Sequence, residues 1–245
     1  MRTTLSWNTK QQQTAASLKP MGWIESLLVV LLPAVAMIFA HYVAYPYLKS
    51  NGIAPYISYS IATFPVMIFM FAAALIGYRL EGHPWTWAAF SLRFRLGHMN
   101  KRAWLLTGAG VVALLLAGQL ANMLLMALYQ ALHYTPYSFA FGAPIPLLAL
   151  VGLLFNIIGE EFWWRGYILP RQEAHFGRWA WLVNGTLWSF FHLFKWWGLP
   201  GLLLVCQIIP YLSQRLKNNW PAMLMHFVLN GLGIVVGVIL ILFNS

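Results

Sequence analysis

Long apolar segments alternate with short polar ones along most of the chain. Seven apolar segments can be drawn, each near the roughly 20 residues that a helix needs to cross a bilayer. They lie at approximately 23–45, 56–78, 103–132, 146–168, 179–196, 199–214 and 220–243. The third is long enough to contain a break, so an eighth span stays open. This pattern predicts an all-α fold, a polytopic transmembrane helix bundle with seven or eight spans.

Composition supports a membrane protein. Of the 245 residues, 60% are hydrophobic and 8% are charged, and the mean hydropathy is +0.67. Both lie far from the values of soluble domains. We therefore expect a single membrane domain over 23–245, in contact with the lipid bilayer, after a polar tail over 1–22. The only cysteine, Cys206, excludes an internal disulfide.

The positive charges alternate between the two sides of the predicted bundle. The net charge is +10, and thirteen Lys and Arg residues fall on one side against two on the other. The positive-inside rule then places the N-terminus and the tail in the cytoplasm and the C-terminus outside. Because these charges flank spans and do not form one stripe, no nucleic acid partner is expected.

Glu160 and Glu161 lie side by side in the fourth apolar segment. Each carboxylate at membrane depth costs about 2.5–3.5 kcal/mol on insertion scales, so such residues usually line cavities and carry chemistry. On a helix, Glu161 and Arg165 lie one turn apart on the same face. Arg165 is therefore the expected partner of Glu161, which leaves Glu160 available for catalysis.

Two later spans add polar residues at comparable depth. Trp188 and His192 share one helical face, and so do His226 and Asn230. We expect Glu160, His192, His226 and Asn230 to converge on one cytoplasm-facing cavity. The other five histidines occur at span ends or in loops, where an interfacial position is expected: His41, His83, His98, His133 and His175.

These residue types suit peptide hydrolysis by water. Glu160, helped by His192, can act as the general base, and His226 with Asn230 can donate hydrogen bonds to an oxyanion. This route needs no cofactor. Alternatively, His192, His226 and Glu160 can hold a catalytic zinc with an open position for water. Spacing alone leaves both routes open, and the oligomeric state is not indicated.

Several protease classes are excluded by missing residues. The chain contains no Asp, no His-Glu-x-x-His and no Gly-x-Ser, which removes membrane aspartyl proteases, site-2 metalloproteases and rhomboid-type serine proteases. A proton- or metal-coupled transporter stays as an alternative, because intramembrane Glu and His suit that function as well. A non-catalytic membrane scaffold is a further alternative.

Three motifs in order resemble those of the CPBP family of intramembrane proteases, which includes the type 2 CAAX prenyl proteases and the Abi proteins. Glu160–Arg165 matches Glu-Glu-x-x-x-Arg, Trp188–His192 matches Phe-x-x-x-His with Trp for Phe, and His226–Asn230 matches His-x-x-x-Asn. The resemblance covers about 145–235.

The resemblance implies an endopeptidase that cleaves a membrane-associated peptide or protein, in CAAX processing or bacteriocin maturation. It implies Glu160 as the catalytic carboxylate, with His192, His226 and Asn230 completing the site and Glu161, Arg165 and Trp188 in support. The family is often labelled as metalloprotease, and a metal-free glutamate mechanism has also been proposed for it. Some relatives serve bacteriocin immunity or act as scaffolds. A prokaryotic cytoplasmic membrane is the expected location.

Overall fold

A computed structural model describes residue 9 and residues 17–141 and 143–244. Most of the predicted tail over 1–22 therefore lies outside the described residues. All regular structure in the described part is helical, which confirms the predicted fold class.

Ten α-helices follow one another along the described chain. The first half contains α1 (Trp23–Ser50, with a π-helical turn at Ala40–Ala44), α2 (Pro55–Leu80), the short α3 (Trp87–Arg93) and α4 (Lys101–Ala131). The second half contains α5 (Pro146–Glu161), a π-helical segment (Phe162–Ile168), α6 (Leu169–Phe176), α7 (Ala180–Phe191), a 3-10 segment (Leu193–Gly198), α8 (Leu199–Val205), α9 (Ile208–Leu216) and α10 (Trp220–Asn244).

Six helical stretches of the described chain are long and apolar enough to cross a membrane. The fourth, Pro146–Phe191, contains a reversal at Gly177, whose φ of 56° lies in the left-handed region that glycine tolerates best. Because α6 and α7 fold back on each other on either side of it, the described part of the chain makes seven helical passes. The third segment, which was long enough to contain a break, forms the single continuous helix α4.

Helix α5 packs between α2 and α10. Its first turn holds Pro146, whose fixed φ suits a helix start. Near its other end, α2 passes so closely that a Cβ on Gly159 would lie 2.5 Å from the carbonyl oxygen of Met67. Only glycine permits this approach, which brings the glutamates that follow it deep into the bundle.

A cluster of charged side chains closes the bundle beside the π-helical segment. Glu81 binds Arg93 through two hydrogen bonds of 2.5 and 2.8 Å, and it binds Arg171 at 2.6 Å. Arg93 also donates to the carbonyl of Gly166 at 2.7 Å. Burial alone would raise the pKa of Glu81, but its hydrogen bonds and charge pairs with Arg93 and Arg171 outweigh burial and lower it.

The two ends of the bundle differ in charge and in closure. Apart from Lys49 and Lys195, the described Lys and Arg residues lie at or near the end that holds the Glu81 cluster, which we call the basic end. The opposite end carries the connections over 51–54, 132–145 and 192–198, and we call it the cavity end. Tyr42 ties α1 to the 3-10 segment there, through a 2.9 Å hydrogen bond to the carbonyl of Phe194.

Candidate active site

A cavity of about 650 Å³ lies inside the bundle. Its walls come from α1, α2, α5, α8 and α10, from the end of α7 with the 3-10 segment, and from residues 137–141. Glu160, His192, His226 and Asn230 all line it, so the structure brings together the four residues that the sequence nominates for catalysis. Glu161, Arg165 and Trp188 do not line it and lie behind its wall.

Glu160 is held by hydrogen bonds to both of its carboxylate oxygens. Asn156 donates to Oε1 at 2.6 Å, and the indole nitrogen of Trp188 donates to Oε2 at 2.6 Å. Glu160 is 1% exposed, and its position at the cavity wall leaves it accessible only from within the cavity. This fixed carboxylate can accept a proton from a substrate or from water.

Glu161 has a different set of partners. Its Oε1 accepts from Arg165 at 3.2 Å, the pair expected from spacing, and lies 2.7 Å from Nδ1 of His226. Because a carboxylate only accepts, His226 carries its proton on Nδ1 when it donates here. Asn219 reaches the backbone carbonyl of Glu161 at 3.1 Å. Glu161 therefore orients a histidine and fastens the start of α10 to α5.

Asn230 joins the two glutamate groups into one network. Its Nδ2 lies 2.8 Å from Nε2 of His226 and 2.9 Å from Oδ1 of Asn156. With Nδ1 of His226 protonated, Nε2 accepts from Asn230. In this arrangement the predicted role of His226 as an oxyanion donor requires uptake of a proton at Nε2.

Asn156 is a site residue that the sequence reasoning missed. It bridges Asn230 and Glu160, and it lines the cavity. A signal for it exists in the sequence, because Asn156 is a polar residue in an apolar span, four positions before Glu160 and hence on the same helical face.

His192 ends α7 and faces the cavity. Its Nδ1 lies 2.9 Å from the carbonyl oxygen of Trp188, which can only accept, so Nδ1 holds the proton and Nε2 offers a lone pair. Helix ends leave carbonyls without helical partners, and His192 uses one of them. Its free nitrogen is the second basic group of the cavity.

A stacked cation supports the wall behind Glu160. The guanidinium carbon of Arg165 lies 3.7 Å from the ring centroid of Trp188, and both side chains are buried. Farther back, Asn184 donates to the carbonyl of Trp164 at 3.1 Å and to Gln172 at 2.9 Å. These contacts hold α7 against the π-helical segment, so the indole N–H of Trp188 stays aimed at Glu160.

Two further side chains line the cavity near its end. His41 was expected at an interface, but it is 2% exposed and stacks on Phe194 with ring centroids 4.1 Å apart. That expectation was wrong, because the π-helical turn of α1 directs His41 inward. Lys195 is half-buried in backbone outside the helical region, with φ −125° and ψ 54°. Its ammonium group lies 5.5 Å from the ring of Phe194.

The predicted zinc ligands do not fit a metal in this arrangement. Within the described residues, no group of three or more His, Cys, Asp or Glu side chains is placed to hold a metal ion. His226 also has both ring nitrogens engaged, by Glu161 and Asn230. A three-ligand zinc site needs free donor atoms on all three residues.

The cavity extends toward the cavity end and is closed toward the basic end. Its lining includes Tyr56, Ser138 and Trp197 at the cavity end, whereas Arg165 and the Glu81 cluster lie on the other side of Glu160. A cytoplasm-facing cavity and a cytoplasmic basic end therefore cannot both be correct. The sequence predicts both that the basic end is cytoplasmic and that the cavity faces the cytoplasm. The two conflict because the site residues lie near the basic end of α5 and α10, while the cavity that they line extends toward the opposite end.

A comparison with known protein families finds a similarity in the second half of the chain. The family model described as type II CAAX prenyl endopeptidase Rce1-like matches residues 141–232. This stretch is therefore similar to the Rce1-like type II CAAX prenyl endopeptidases. The match includes all four cavity residues named from the motifs. No curated protein and no solved structure matches the chain.

Trp188 gives a test of the Glu160 environment. Trp188→Phe keeps an aromatic ring of the family type but removes one of the two hydrogen bonds to Glu160. We expect kcat to fall about tenfold with KM little changed, because a charged hydrogen bond that positions the reacting carboxylate is lost.

Trp164→Phe is the matched control for Trp188→Phe. Trp164 is equally buried, but its indole nitrogen has no hydrogen-bond partner among the described residues. Activity should survive this change. Equal losses of kcat in the two variants would show that activity depends on the size of the buried ring and not on the hydrogen bond to Glu160.

Proposed function

We propose that the protein is an intramembrane endopeptidase that hydrolyses a peptide bond of a membrane-associated substrate without a metal. The convergence of Glu160, His192, His226 and Asn230 on one cavity carries this proposal. The similarity to the Rce1-like endopeptidases supports the protease class. A bacteriocin precursor or a prenylated C-terminal peptide is the substrate class that the family suggests.

Each step of the proposed reaction uses a side chain of the cavity. Water between Glu160 and Nε2 of His192 gives its proton to Glu160 as its oxygen attacks the peptide carbonyl carbon. The tetrahedral oxyanion accepts a hydrogen bond from Nδ2 of Asn230, and this bond replaces the one that Asn230 donates to Asn156 in the structure. The C–N bond then breaks, and the proton passes from Glu160 to the leaving amine.

The two glutamates should respond differently to the same substitution. Glu160→Gln should lower cleavage by about 10²–10⁴-fold, because a carboxamide cannot accept the proton of water. Glu161→Gln should mainly reduce stability, by about 3–5 kcal/mol, because it leaves the buried charge of Arg165 without a partner.

The measurement uses purified variants in liposomes, with a farnesylated peptide ending in Cys-a-a-X and an unprenylated peptide library as substrates. Thermal unfolding of the same samples reports stability. Full activity of Glu160→Gln on any cleaved peptide would remove Glu160 as the base and leave a scaffold or transporter function for the cavity.

The metal-free route has a direct test. Exhaustive chelation should leave kcat unchanged within about twofold, because the proposed steps use protein groups alone. Metal analysis should accompany the assay. Loss of activity that zinc alone restores, with one zinc bound per chain, would instead make His192 and His226 ligands.

Lys195 supports a preference for substrates with a free C-terminal carboxylate. Among the described residues it is the only Lys or Arg that lines the cavity, and a carboxylate inside a poorly hydrated site is stabilised by an ammonium group. We expect a free-acid peptide to be cleaved faster than its C-terminal amide. Lys195→Met should reduce this ratio about tenfold and leave cleavage of the amide nearly unchanged.

Lys49→Met is the control for Lys195→Met, because Lys49 is exposed at the same end but does not line the cavity. It should preserve the preference for the free acid. An unchanged ratio in Lys195→Met would assign carboxylate recognition elsewhere, without touching the hydrolytic roles above.

We further propose that the protein lies in a prokaryotic cytoplasmic membrane with the basic end in the cytoplasm, so that the cavity opens away from it. Thr135 and His98 are exposed at the cavity end and the basic end, respectively. A membrane-impermeant thiol reagent should label Thr135→Cys in intact cells and leave His98→Cys unlabelled. The reverse pattern would make the cavity cytoplasmic.

A further inference from the structure

Helix α4 carries two carboxamides on its outer surface at membrane depth. Gln119 and Asn122 are both exposed, and neither hydrogen-bonds to another of the described residues. Exposed Trp104 near one end of the helix suits an interfacial anchor, and Tyr129 near the other end is buried. Gln119 lies about 22 Å along the helix from Trp104 and about 15 Å from Tyr129, at 1.5 Å per residue. Both amides therefore face hydrocarbon.

The rest of that surface follows a heptad spacing. Exposed residues recur at intervals of four and three positions, in the order Gly108, Val112, Leu115, Gln119, Asn122 and Met126. We call this set the amide stripe. Helix α4 packs on α8, α9 and α10 through a different face, which includes Gly110, Leu114 and Ala121. None of the other helices of the described chain packs on the amide stripe.

Heptad spacing is the pattern of two helices that pair with a left-handed crossing. Gly108 adds room for close approach, because a Cβ built on it would have no neighbour within 4 Å. Polar amides in lipid are costly when unpaired and associate helices when they meet. This surface is thus built for another helix and not for lipid alone.

We propose that the amide stripe pairs with the same stripe of a second copy of this chain. Copies of one chain share their orientation in a membrane, so the two α4 helices run parallel and equal residues meet at equal depth. A carboxamide both donates and accepts, so Gln119 and Asn122 are self-complementary across a two-fold axis. The dimer leaves both cavities accessible, since neither amide lines one.

Cysteine cross-linking tests the proposal without altering the amides. The native Cys206 is buried and is replaced by Ser in all samples. Leu115 belongs to the amide stripe, whereas Leu116 is exposed but turned about 100° away. In dilute liposomes of phosphatidylethanolamine and phosphatidylglycerol, Leu115→Cys should form a disulfide-linked dimer and Leu116→Cys should remain a monomer.

Removal of the amides gives the second arm. Single-molecule photobleaching at falling protein-to-lipid ratios measures the dimer dissociation constant in the bilayer. The double variant Gln119→Leu, Asn122→Leu should raise it at least about tenfold, with unfolding unchanged because both sites face outward. The double variant Leu120→Ala, Leu124→Ala, at exposed positions of α4 turned away from the stripe, is the control and should have no effect.

The outcomes decide the matter without reference to proteolysis. A wild-type protein that stays monomeric at every protein density overturns the proposal. So does equal association of the double variant and the wild type, or cross-linking through Leu116→Cys in preference to Leu115→Cys. An inactive protein that still dimerises through the amide stripe would leave this inference standing and refute only the proposed hydrolysis.

Discussion

Glu161 and Arg165 are both fully buried, so the charge of each depends on the other for compensation. The pair also fixes what surrounds it. Glu161 holds His226, and Arg165 stacks on Trp188, which in turn donates to Glu160. The two residues thus connect α5, α7 and α10 from behind the cavity wall. Glu160 can remain at the cavity because its neighbour Glu161 makes the contacts that hold the helices together.

The shortness of α7 determines the chemistry at the other wall. Its 12 residues reach about 18 Å, well short of the bilayer core. The helix therefore ends inside the protein, where His192 uses the carbonyl of Trp188 and keeps Nε2 unprotonated. The 3-10 segment that follows brings Lys195 to the same cavity. A full-length helix would have placed both residues near the membrane surface.

Helical spacing and motif order were sufficient to predict seven or eight spans, the segment that is similar to the Rce1-like family and the four residues at the cavity. Each of these depends on local periodicity, which a sequence displays directly. The positions of Asn156 and His41 at the cavity were not predicted. That of Asn156 depends on the helix that faces it, and that of His41 depends on a π-helical turn. The hydrogen bond from the indole N–H of Trp188 to Glu160 was likewise not predicted, since the motif requires only an aromatic residue at this position.

The direction of the cavity also depends on tertiary closure. Counting charges locates the ends of spans, but Trp164, Arg165 and the Glu81 cluster seal the end nearer to Glu160. Glu160 lies about 21 Å along α5 from Pro146, at 1.5 Å per residue. An extended peptide that enters beside the first turn of α5 needs about six residues to span that distance, at 3.3 Å each. The proposed substrate would therefore reach Glu160 as an extended chain end or an unwound segment, since a helix would need about 14 residues to descend as far.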